Sequence, residues 1–409
     1  MNSRRKIFVG AIILVVITSF TTFVATSFLY FVFGNLPFFG IFKMQWNNEE
    51  YNKLNQVKEI IKKYYIEPVE DEQLMEGAVA GVAAAVGDPY TTYMDKKAYD
   101  DFMAQTHGSY GGIGVVVSVD SEDNLITVVA PFEGSPGEKA GIKPGDKIIK
   151  VDGKEVWGDK YEEAVNMMRG PKGTEVTITI IREGITNPMD ITIKRDDIVL
   201  QTVKHKVLNG DIGYIRISMF DEKTAKDFDN ALDELYKKNI KGLIIDLRDN
   251  PGGVLNVVAK ITDRLVPEGL IVYTEDKNKQ RNALYSDKEE IDIPMAILVN
   301  GGSASASEIL AGAVKDHGKG ILVGTRTYGK GLVQTLFPLS DGSAVKVTIS
   351  KYFTPNGTSI QGVGIEPDIV IDLPEELKGS IWELSEEEDV QLQKAIEVVK
   401  EQVLNYAGQ

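Results

Sequence analysis

The sequence predicts a multi-domain α/β protein with a membrane anchor at its N-terminus and a helix at its C-terminus. Three observations support this prediction. A long uncharged apolar run follows a basic start, the middle of the chain consists of short strands and glycine turns, and the second half alternates apolar strands with helices. The 409 residues, 43 % of them hydrophobic and 26 % charged, are enough to bury several cores, which excludes wholesale disorder.

The composition excludes several functional classes. A formal net charge of −15 disfavours nucleic-acid binding, because a negative field repels phosphate groups. The absence of cysteine removes disulfides, zinc–cysteine sites and a cysteine nucleophile. None of the three histidines belongs to a His-Glu-x-x-His zinc motif. We therefore expect no metal, and no other cofactor.

The N-terminal end has the pattern of a signal anchor. Residues 1–6 contain three basic residues and no acid, and the next charged residue is Lys43. As a helix, the run 7–33 is roughly 40 Å long, enough to cross a hydrocarbon core of about 30 Å. We predict a cytoplasmic tip at 1–6, a single-pass signal anchor at 7–33, and a body outside the cell membrane of a bacterium. The alternative is a long signal peptide that is cleaved.

Two helices are predicted within a helical segment over residues 44–106. Apolar residues recur at helical spacing over 51–64, and an alanine-rich stretch over 73–86 ends at Gly87. Their apolar faces either pack within one chain or pair two protomers. The turn that follows, residues 87–91, reads Gly-Asp-Pro-Tyr-Thr.

Residues 107–196 are predicted to form a separate β-rich domain. Strands are expected at 113–119, 125–130, 147–151, 176–182 and 189–195, with a helix at 161–169. The cluster at its start consists of Gly111, Gly112, Ile113 and Gly114. Its successive amides are suited to binding a peptide carboxylate while the peptide adds to the domain as a strand. The simpler interpretation is a flexible glycine turn.

An α/β core is predicted over 197–375 and a C-terminal helical region over 376–409. Nearly all-apolar strands, as a buried parallel sheet requires, are followed by glycine turns and helices. The strands are expected at 242–247, 294–299 and 321–323, and the helices at 254–266 and 305–315. In the last region we predict a helix over 385–404, with Ser385 and Glu388 as its capping box.

Ser305 is a candidate nucleophile. It follows a buried strand and a glycine turn and stands at the start of a helix, where backbone N–H groups and the positive helix end suit a developing oxyanion. The amides of Gly252 and Gly253, at another helix start, can complement the Ala306 N–H. On local sequence alone the simpler interpretation is a helix cap, because Ser305 and Glu308 match a capping box.

Lys330, between two glycines, is a candidate general base. A serine nucleophile needs a base, and lysine can serve when burial lowers its pKa. The simpler interpretation is a loop lysine in water. His317 lies about 18 Å along the helix from Ser305, which is too far for the role of base.

One nucleotide-binding motif is incomplete. Residues 324–330 read Gly-x-x-x-x-Gly-Lys after a predicted strand, but Gly331 stands where a P-loop needs Ser or Thr to hold Mg²⁺. We therefore exclude nucleotide hydrolysis.

Taken in order, these motifs resemble the carboxy-terminal processing peptidases, a family of tail-specific serine peptidases. The resemblance extends over about residues 50–400. It is carried by the 87–91 turn, the Gly111–Gly114 cluster with the glycine turns at 143–146 and 151–153, Asp-Leu-Arg-Asp-Asn-Pro-Gly-Gly at 246–253, and Gly-Ser-Ala-Ser-Ala-Ser-Glu at 302–308. It implies a PDZ domain at 107–196 and an α/β, crotonase-like serine protease core at 197–375.

The resemblance implies a catalytic Ser–Lys dyad. Ser305 corresponds to the nucleophile and Lys330 to the base, while Gln334 matches the residue that positions the lysine. Ser303 and Ser307 are the rivals of Ser305 within the same motif.

The resemblance also assigns two binding functions. The oxyanion donors would be the N–H of Ala306 and that of Gly253, or of Gly252 as the less favoured choice. Arg169, at the end of the PDZ helix, would either pair with the substrate carboxylate or dock on the protease core. The simpler interpretation is an arginine in water.

We therefore predict a membrane-anchored, extracytoplasmic serine endopeptidase that cleaves in the C-terminal region of protein substrates. Its PDZ domain would bind the apolar, free C-terminus of the substrate. The resemblance also suggests a homodimer. The alternative is a catalytically silent PDZ scaffold that only binds peptide tails, which the presence of Ser305, Lys330 and Gln334 disfavours.

Overall fold

A computed structural model describes residues 48–120, 123–132, 134–381 and 384–406. The predicted cytoplasmic tip and signal anchor lie outside these residues. Within the described part, no helix combines the length and the apolar character that a membrane span requires. The described residues divide into two compact units, with the boundary between Val79 and Ala80.

The helices and strands are numbered in chain order. The helices are α1 (Asn48–Tyr64), α2 (Asp71–Ala84), α3 (Lys96–His107), α4 (Pro136–Lys139), α5 (Tyr161–Met168), α6 (Thr224–Lys237), α7 (Leu255–Asp263), α8 (Ala306–Asp316) and α9 (Val390–Tyr406), with 3₁₀ turns at Gly158–Lys160 and Glu375–Ser380. The first strands are β1 (Thr92–Met94), β2 (Ser109–Gly112), β3 (Val115–Val119), β4 (Ile126–Pro131), β5 (Lys147–Val151), β6 (Lys154–Glu155), β7 (Glu175–Ile181), β8 (Met189–Lys194) and β9 (Asp196–Val199). The later strands are β10 (Val203–Leu208), β11 (Ile212–Ile217), β12 (Gly242–Asp246), β13 (Gly269–Asp276), β14 (Arg281–Ser286), β15 (Met295–Val299), β16 (Ile321–Gly324), β17 (Leu332–Pro338), β18 (Ala344–Phe353) and β19 (Ile369–Val370).

The β-rich domain is an antiparallel sheet with the order β3-β4-β5-β7-β8, and β6 pairs with β5. Its core is its own and includes Ile126, Ile148 and Ile178, which are fully buried. The predicted strand at 113–119 begins only at Val115, because Gly114 has a φ of 70° and a Cβ there would lie 2.6 Å from the Cβ of Ser135. The domain joins the rest of the chain through β2 and β9, which form a two-stranded antiparallel ribbon.

The second half contains the predicted buried sheet, with the order β10-β11-β12-β15-β16-β19. It is parallel except for the antiparallel β10–β11 pair. Successive residues of β12 face opposite sides: Leu243 and Ile245 pack in the cluster that includes residues of α6, α7 and α8, while Ile244 packs with residues of α9. Because both faces are covered, the strands are apolar throughout, as the sequence predicted.

A second, antiparallel sheet has the order β1-β18-β13-β14, with β17 also paired to β18. In the β1–β18 register, Thr92 lies opposite Lys346, and in the β17–β18 register Leu336 lies opposite the same lysine. The 87–91 turn, which leads into β1, therefore lies beside β18, whose opposite edge pairs with β17, the strand that follows Lys330.

The start of the C-terminal helix differs from the prediction. Ser385 N–H and Oγ–H do donate to Glu388 Oε2, at 3.0 and 2.7 Å, but this contact closes a turn before the helix. The helix α9 begins at Val390, and Asp389 Oδ1 accepts the N–H of Leu392 at 3.0 Å as its cap. Arg248 also holds the Asp389 carboxylate at 2.8 Å, so the capping residue of α9 is fixed by an ion pair with a distant loop.

Candidate active site

One cavity of about 410 Å³ brings the predicted catalytic and oxyanion residues together. The predicted residues that line it are Gly252, Gly253, Ser305, Ala306, Lys330 and Gln334. Apolar side chains form much of the remaining wall, among them Phe102, Met219 and Leu255. The cavity therefore offers a nucleophile and a candidate base within an apolar surface, as a site for peptide side chains requires.

Ser305 occupies a strained backbone position between β15 and α8. Its φ of 54° and ψ of −112° are unusual for a residue with a side chain. Gly252 packs closely against it, since a Cβ at Gly252 would lie 2.8 Å from the Ser305 Cβ. The strain is maintained by tight packing, and it places Ser305 on the wall of the cavity.

The two rival serines are engaged elsewhere. Ser303 and Ser307 are both fully buried. The Ser303 hydroxyl donates to the Leu247 carbonyl at 2.8 Å, and the Ser307 hydroxyl donates to the Asn250 carbonyl at 2.9 Å. Neither lines the cavity, whereas Ser305 does.

Glu308 connects the segments that carry Ser305 and Lys330. Its carboxylate is fully buried and accepts four hydrogen bonds. The donors are Ser305 N–H at 2.9 Å, Lys330 N–H at 2.8 Å, Gly329 N–H at 2.7 Å and Thr327 Oγ–H at 2.6 Å. Sequence analysis identified Glu308 only as a capping residue; its links to residues 327–330 depend on a contact that local sequence does not contain.

Tyr352 makes a second connection between the same two segments. Its hydroxyl contacts the carbonyl oxygens of Ser305, at 2.9 Å, and of Lys330. Burial, with the nearby charge of Glu308, raises the pKa of Tyr352 well above its ordinary value, so the hydroxyl stays protonated and donates. Glu308 thus holds the N–H groups of Ser305 and Lys330, and Tyr352 holds their carbonyl groups.

The Lys330 side chain lies in the cavity, with its Nζ 4.7 Å from the ring centroid of Tyr90. Burial disfavours the ammonium and, together with the positive charge of Lys346, lowers the pKa of Lys330. Asp88 and Glu308 oppose that shift. The lysine is therefore easier to deprotonate than one in water, as the role of base requires.

Gln334, in β17, lines the same cavity, and its Nε2 donates to Thr348 Oγ1 of β18 at 3.3 Å. Sequence analysis linked Gln334 to Lys330 directly. The structure instead gives it a partner on the neighbouring strand.

The candidate oxyanion donors differ in how their amides are used. Gly252 N–H donates to the side-chain oxygen of Asn250 at 2.9 Å, so this amide is engaged within the turn. Within the described residues, the N–H groups of Gly253 and Ala306 donate no hydrogen bond to the protein. A Cβ at Gly253 would lie 2.1 Å from the Phe220 carbonyl oxygen, so the backbone there requires glycine.

The residues predicted to bind a peptide tail are divided between two places. Ile113, Gly114 and Arg169 line a groove of about 190 Å³ between β3 and α5. Gly111 and Gly112 lie in β2, opposite Asp197 and Asp196 of β9, and not in the lining of that groove. The glycine cluster therefore contributes half to the connecting ribbon and half to the groove.

Arg169 docks on α3, in the predicted helical segment, and not on the predicted protease core. Its guanidinium lies 2.6 Å from Asp101 of α3 and 5.1 Å from the ring centroid of Tyr110. The same helix contributes Phe102 and Gln105 to the wall of the Ser305 cavity. Sequence analysis did not identify α3 as part of either site, because its residues carry no motif.

The incomplete nucleotide motif leads into a strand. After β16, Lys330 is followed by β17, and no helix begins there to receive a phosphate. The interpretation against nucleotide hydrolysis agrees with this arrangement.

Comparison with known proteins identifies the family. The sequence matches the profile of Peptidase family S41 over residues 211–371, that of the "Activating protease CtpB N-terminal domain" over 42–98, and that of the PDZ domain over 127–182. A "Carboxy-terminal-processing protease" of Bartonella bacilliformis is 43 % identical over 357 residues, 84 % of this chain and 81 % of that one. "Carboxy-terminal processing protease CtpA" of Bacillus subtilis is 40 % identical over 360 residues, 88 % of this chain and 77 % of that one.

A solved structure, a putative S41 protease from Bacteroides fragilis, matches the fold with a TM-score of 0.51 at 15 % identity, covering 84 % of this chain and 97 % of that one. The family profile and the extent of the sequence identity lead to one conclusion. This chain is a member of the carboxy-terminal processing peptidases of family S41, and it is a serine protease with a PDZ domain.

Proposed function

We propose that the protein hydrolyses peptide bonds with Ser305 as nucleophile and Lys330 as general base. The observation that supports this most is the shared cavity, in which Ser305 is the member of its serine motif that lines the wall and Lys330 has a lowered pKa. Neither residue needs a metal or a nucleotide for this chemistry.

The proposed reaction assigns one role to each of these groups. Neutral Lys330 Nζ takes the proton of Ser305 Oγ–H as the oxygen attacks the substrate carbonyl carbon. The N–H groups of Gly253 and Ala306 stabilise the resulting oxyanion. Lys330 then gives its proton to the leaving amine, the C–N bond breaks, and an acyl-enzyme remains. Water hydrolyses that ester, with Lys330 again as base.

The PDZ groove would select the substrate. The free edge of β3 lies beside α5, so a peptide tail can add as a strand with its apolar end against Ile113 and the other groove residues. We propose cleavage in the C-terminal region of protein substrates with apolar tails. The binding of such a tail would hold the preceding segment near the protease core.

The test compares wild type with Ser305→Ala, Lys330→Ala and a matched control, Lys351→Ala, an exposed lysine of β18. The substrate is an unfolded protein with an apolar C-terminus. Loss of a catalytic group from a serine–base pair lowers kcat by about 1000-fold or more. The control should cleave at the wild-type rate. A fully active Lys330→Ala protein would refute the dyad, and an inactive wild type would favour a silent PDZ scaffold.

A second measurement separates substrate selection from chemistry. Amidation of the substrate's C-terminal carboxylate should raise KM and leave kcat unaltered. Equal cleavage of free and amidated substrates would contradict tail recognition by the groove.

We also propose that residues 7–33 anchor the protein in the cell membrane with the catalytic part outside the cytoplasm. The support is the uncharged apolar run behind three cations at residues 1–6. The full chain should sediment with membranes, and a variant starting at residue 34 should not. External protease should digest the body in intact spheroplasts, and protection of the body would overturn the proposed orientation.

A homodimer is proposed on the exposed apolar residues of α1. Val57 and Ile60 are 48 % and 58 % exposed. If they pair two protomers, Val57→Glu and Ile60→Glu should convert the detergent-solubilised chain from dimer to monomer in analytical ultracentrifugation. A wild-type monomer would contradict the proposal.

A further inference from the structure

Tyr90 contacts the side chain of Lys330 although 240 positions separate them in the sequence. The Lys330 Nζ lies 4.7 Å from the centroid of the Tyr90 ring, within the range of a cation–π interaction. Within the described residues, no ion pair is formed by this ammonium. The face of an aromatic ring is thus the partner that the structure provides for the protonated lysine.

The backbone around Tyr90 is held on both sides. Tyr90 N–H donates to Asp88 Oδ1 at 3.1 Å, and Thr91 Oγ–H donates to Asp88 Oδ2 at 2.7 Å. Thr91 Oγ1 also accepts the N–H of Thr348 in β18 at 3.1 Å. The ring is therefore presented by a turn that is fixed to the sheet next to Lys330, rather than by a free loop.

We propose that Tyr90 is a positioning residue for Lys330, whose ring holds the lysine side chain and stabilises its ammonium once it has taken the proton of Ser305. This inference rests on the proposed role of Lys330 as base. The ring interacts more strongly with the ammonium than with the amine, so its contribution grows as the proton is transferred. Interactions that strengthen along the reaction raise kcat rather than lower KM.

Other charged groups act on Lys330 from the surrounding elements. Lys346 of β18 disfavours the ammonium, whereas Asp88 of the same turn as Tyr90 and Glu308 of α8 favour it. Burial of Tyr90 and its interaction with the Tyr328 hydroxyl raise the pKa of Tyr90, which favours the neutral ring. The ring therefore acts on Lys330 in the same direction as Asp88 and Glu308, because all three stabilise its ammonium form.

The proposed role of Tyr90 predicts changes in kcat and in its pH dependence. Tyr90→Leu should lower kcat by about tenfold, the size of a desolvated cation–π interaction, with little change in KM. It should also move the acid limb of the kcat–pH profile to lower pH, because the ammonium loses a stabilising partner. Tyr90→Phe keeps the ring face and should restore kcat to within about threefold of wild type.

The experiment measures kcat, KM and the pH profile for wild type, Tyr90→Leu, Tyr90→Phe and Tyr328→Phe in the full chain. Tyr328→Phe is the matched control, since it removes the hydroxyl partner of Tyr90 and leaves the ring over Lys330. Thermal unfolding of each variant reports whether the fold is intact.

A second set of variants keeps the test valid if Tyr90→Leu does not fold. Tyr90 is replaced by phenylalanine and by its mono-, di- and trifluorinated forms, which weaken the ring face with little change of shape. We expect log kcat to fall in step with fluorination. A kcat that does not respond to fluorination, or a Tyr90→Phe variant as impaired as Tyr90→Leu, would overturn the proposal. An active Lys330→Ala protein would instead refute the dyad itself, which separates the two failures.

Discussion

The Ser305 cavity and the groove between β3 and α5 are built in different ways. The cavity takes its lining from α3, from the loops before α7 and α8, and from β17 and β18, so residues 102 and 346 meet in one site. The groove is lined by residues 110–169, nearly all from one small domain. A recognition surface needs only one domain and its edge strand, whereas the proposed chemistry needs groups from distant parts of the chain.

The Ser305 cavity and the groove also differ in the interactions that hold them in place. Buried hydrogen bonds from Glu308 and Tyr352 hold the backbone at Ser305 and Lys330. The groove is joined to α3 by the Arg169–Asp101 ion pair, whose side chains are 41 % and 38 % exposed. Exposed ion pairs contribute little stability, so we expect the cavity to be rigid and the attachment of the groove to be weak.

The largest effect is expected for Glu308→Gln, which removes the carboxylate that holds the Ser305 cavity together. Glu308→Gln leaves the volume nearly unchanged but places an amide donor against N–H and hydroxyl donors. Mismatched buried donors cost about 3 kcal/mol, so we expect kcat/KM to fall by about 100-fold and the free energy of unfolding to fall as well. Cleavage assays and chemical denaturation measure both.

The matched control for this variant is Glu366→Gln, which breaks an exposed ion pair with Arg326 on the neighbouring loop. It should change the free energy of unfolding by less than about 1 kcal/mol. If Glu308→Gln were as active as this control, the buried carboxylate would not hold the dyad.

A smaller effect on activity is expected for Lys346→Gln, which changes the electrostatic environment of Lys330. Lys346 lines the cavity, with its Nζ 5.5 Å from the Phe102 ring centroid, and its charge helps to lower the pKa of Lys330. Lys346→Gln removes that repulsion, so the pKa of Lys330 rises and less of the neutral base is present at a given pH. The acid limb of the kcat/KM–pH profile should move to higher pH, opposite in sign to Tyr90→Leu.

On that limb, the activity of Lys346→Gln should fall by about threefold. Lys346→Arg keeps the charge and should follow the wild-type profile. A shift of the limb to lower pH in Lys346→Gln would contradict the proposed repulsion.

The smallest expected effect concerns Arg169, and it distinguishes the docking on α3 that the structure shows from the predicted pairing with the substrate carboxylate. If Arg169 acts by docking on α3, Arg169→Ala and Asp101→Asn should each change cleavage by less than about twofold, and the double variant should add nothing. If Arg169 instead binds the substrate carboxylate, Arg169→Ala should raise KM for a free tail and Asp101→Asn should not. Steady-state kinetics on free and amidated tails distinguish these results.

Sequence analysis succeeded where a pattern is local. The apolar strands of the core, the helices at both ends of the described chain and the glycine turns were predicted within a few residues. It failed at the start of α9, where Ser385 and Glu388 match a capping box but Asp389 is the cap. Asp389 is held by Arg248, which lies 141 positions away, and the local sequence contains no sign of this ion pair.

In the candidate site, too, local patterns were predicted and contacts between distant segments were not. The residues around Ser305 and Lys330 indicated a nucleophile and a base, the family resemblance added Gln334, and all three line one cavity. Sequence analysis missed the contacts of Glu308 and Tyr90 with the lysine loop, since each joins segments that are far apart in the chain.

The sequence by itself determined which chemistry is available and which family the chain resembles. Without cysteine and with three histidines, serine and lysine remain as the natural nucleophile and base, and the ordered motifs point to a peptidase. Tertiary structure alone decided which serine lines the cavity, what surrounds the Lys330 ammonium and where Arg169 docks. These properties arise from packing and electrostatics between distant segments, and no local pattern in the sequence specifies such contacts.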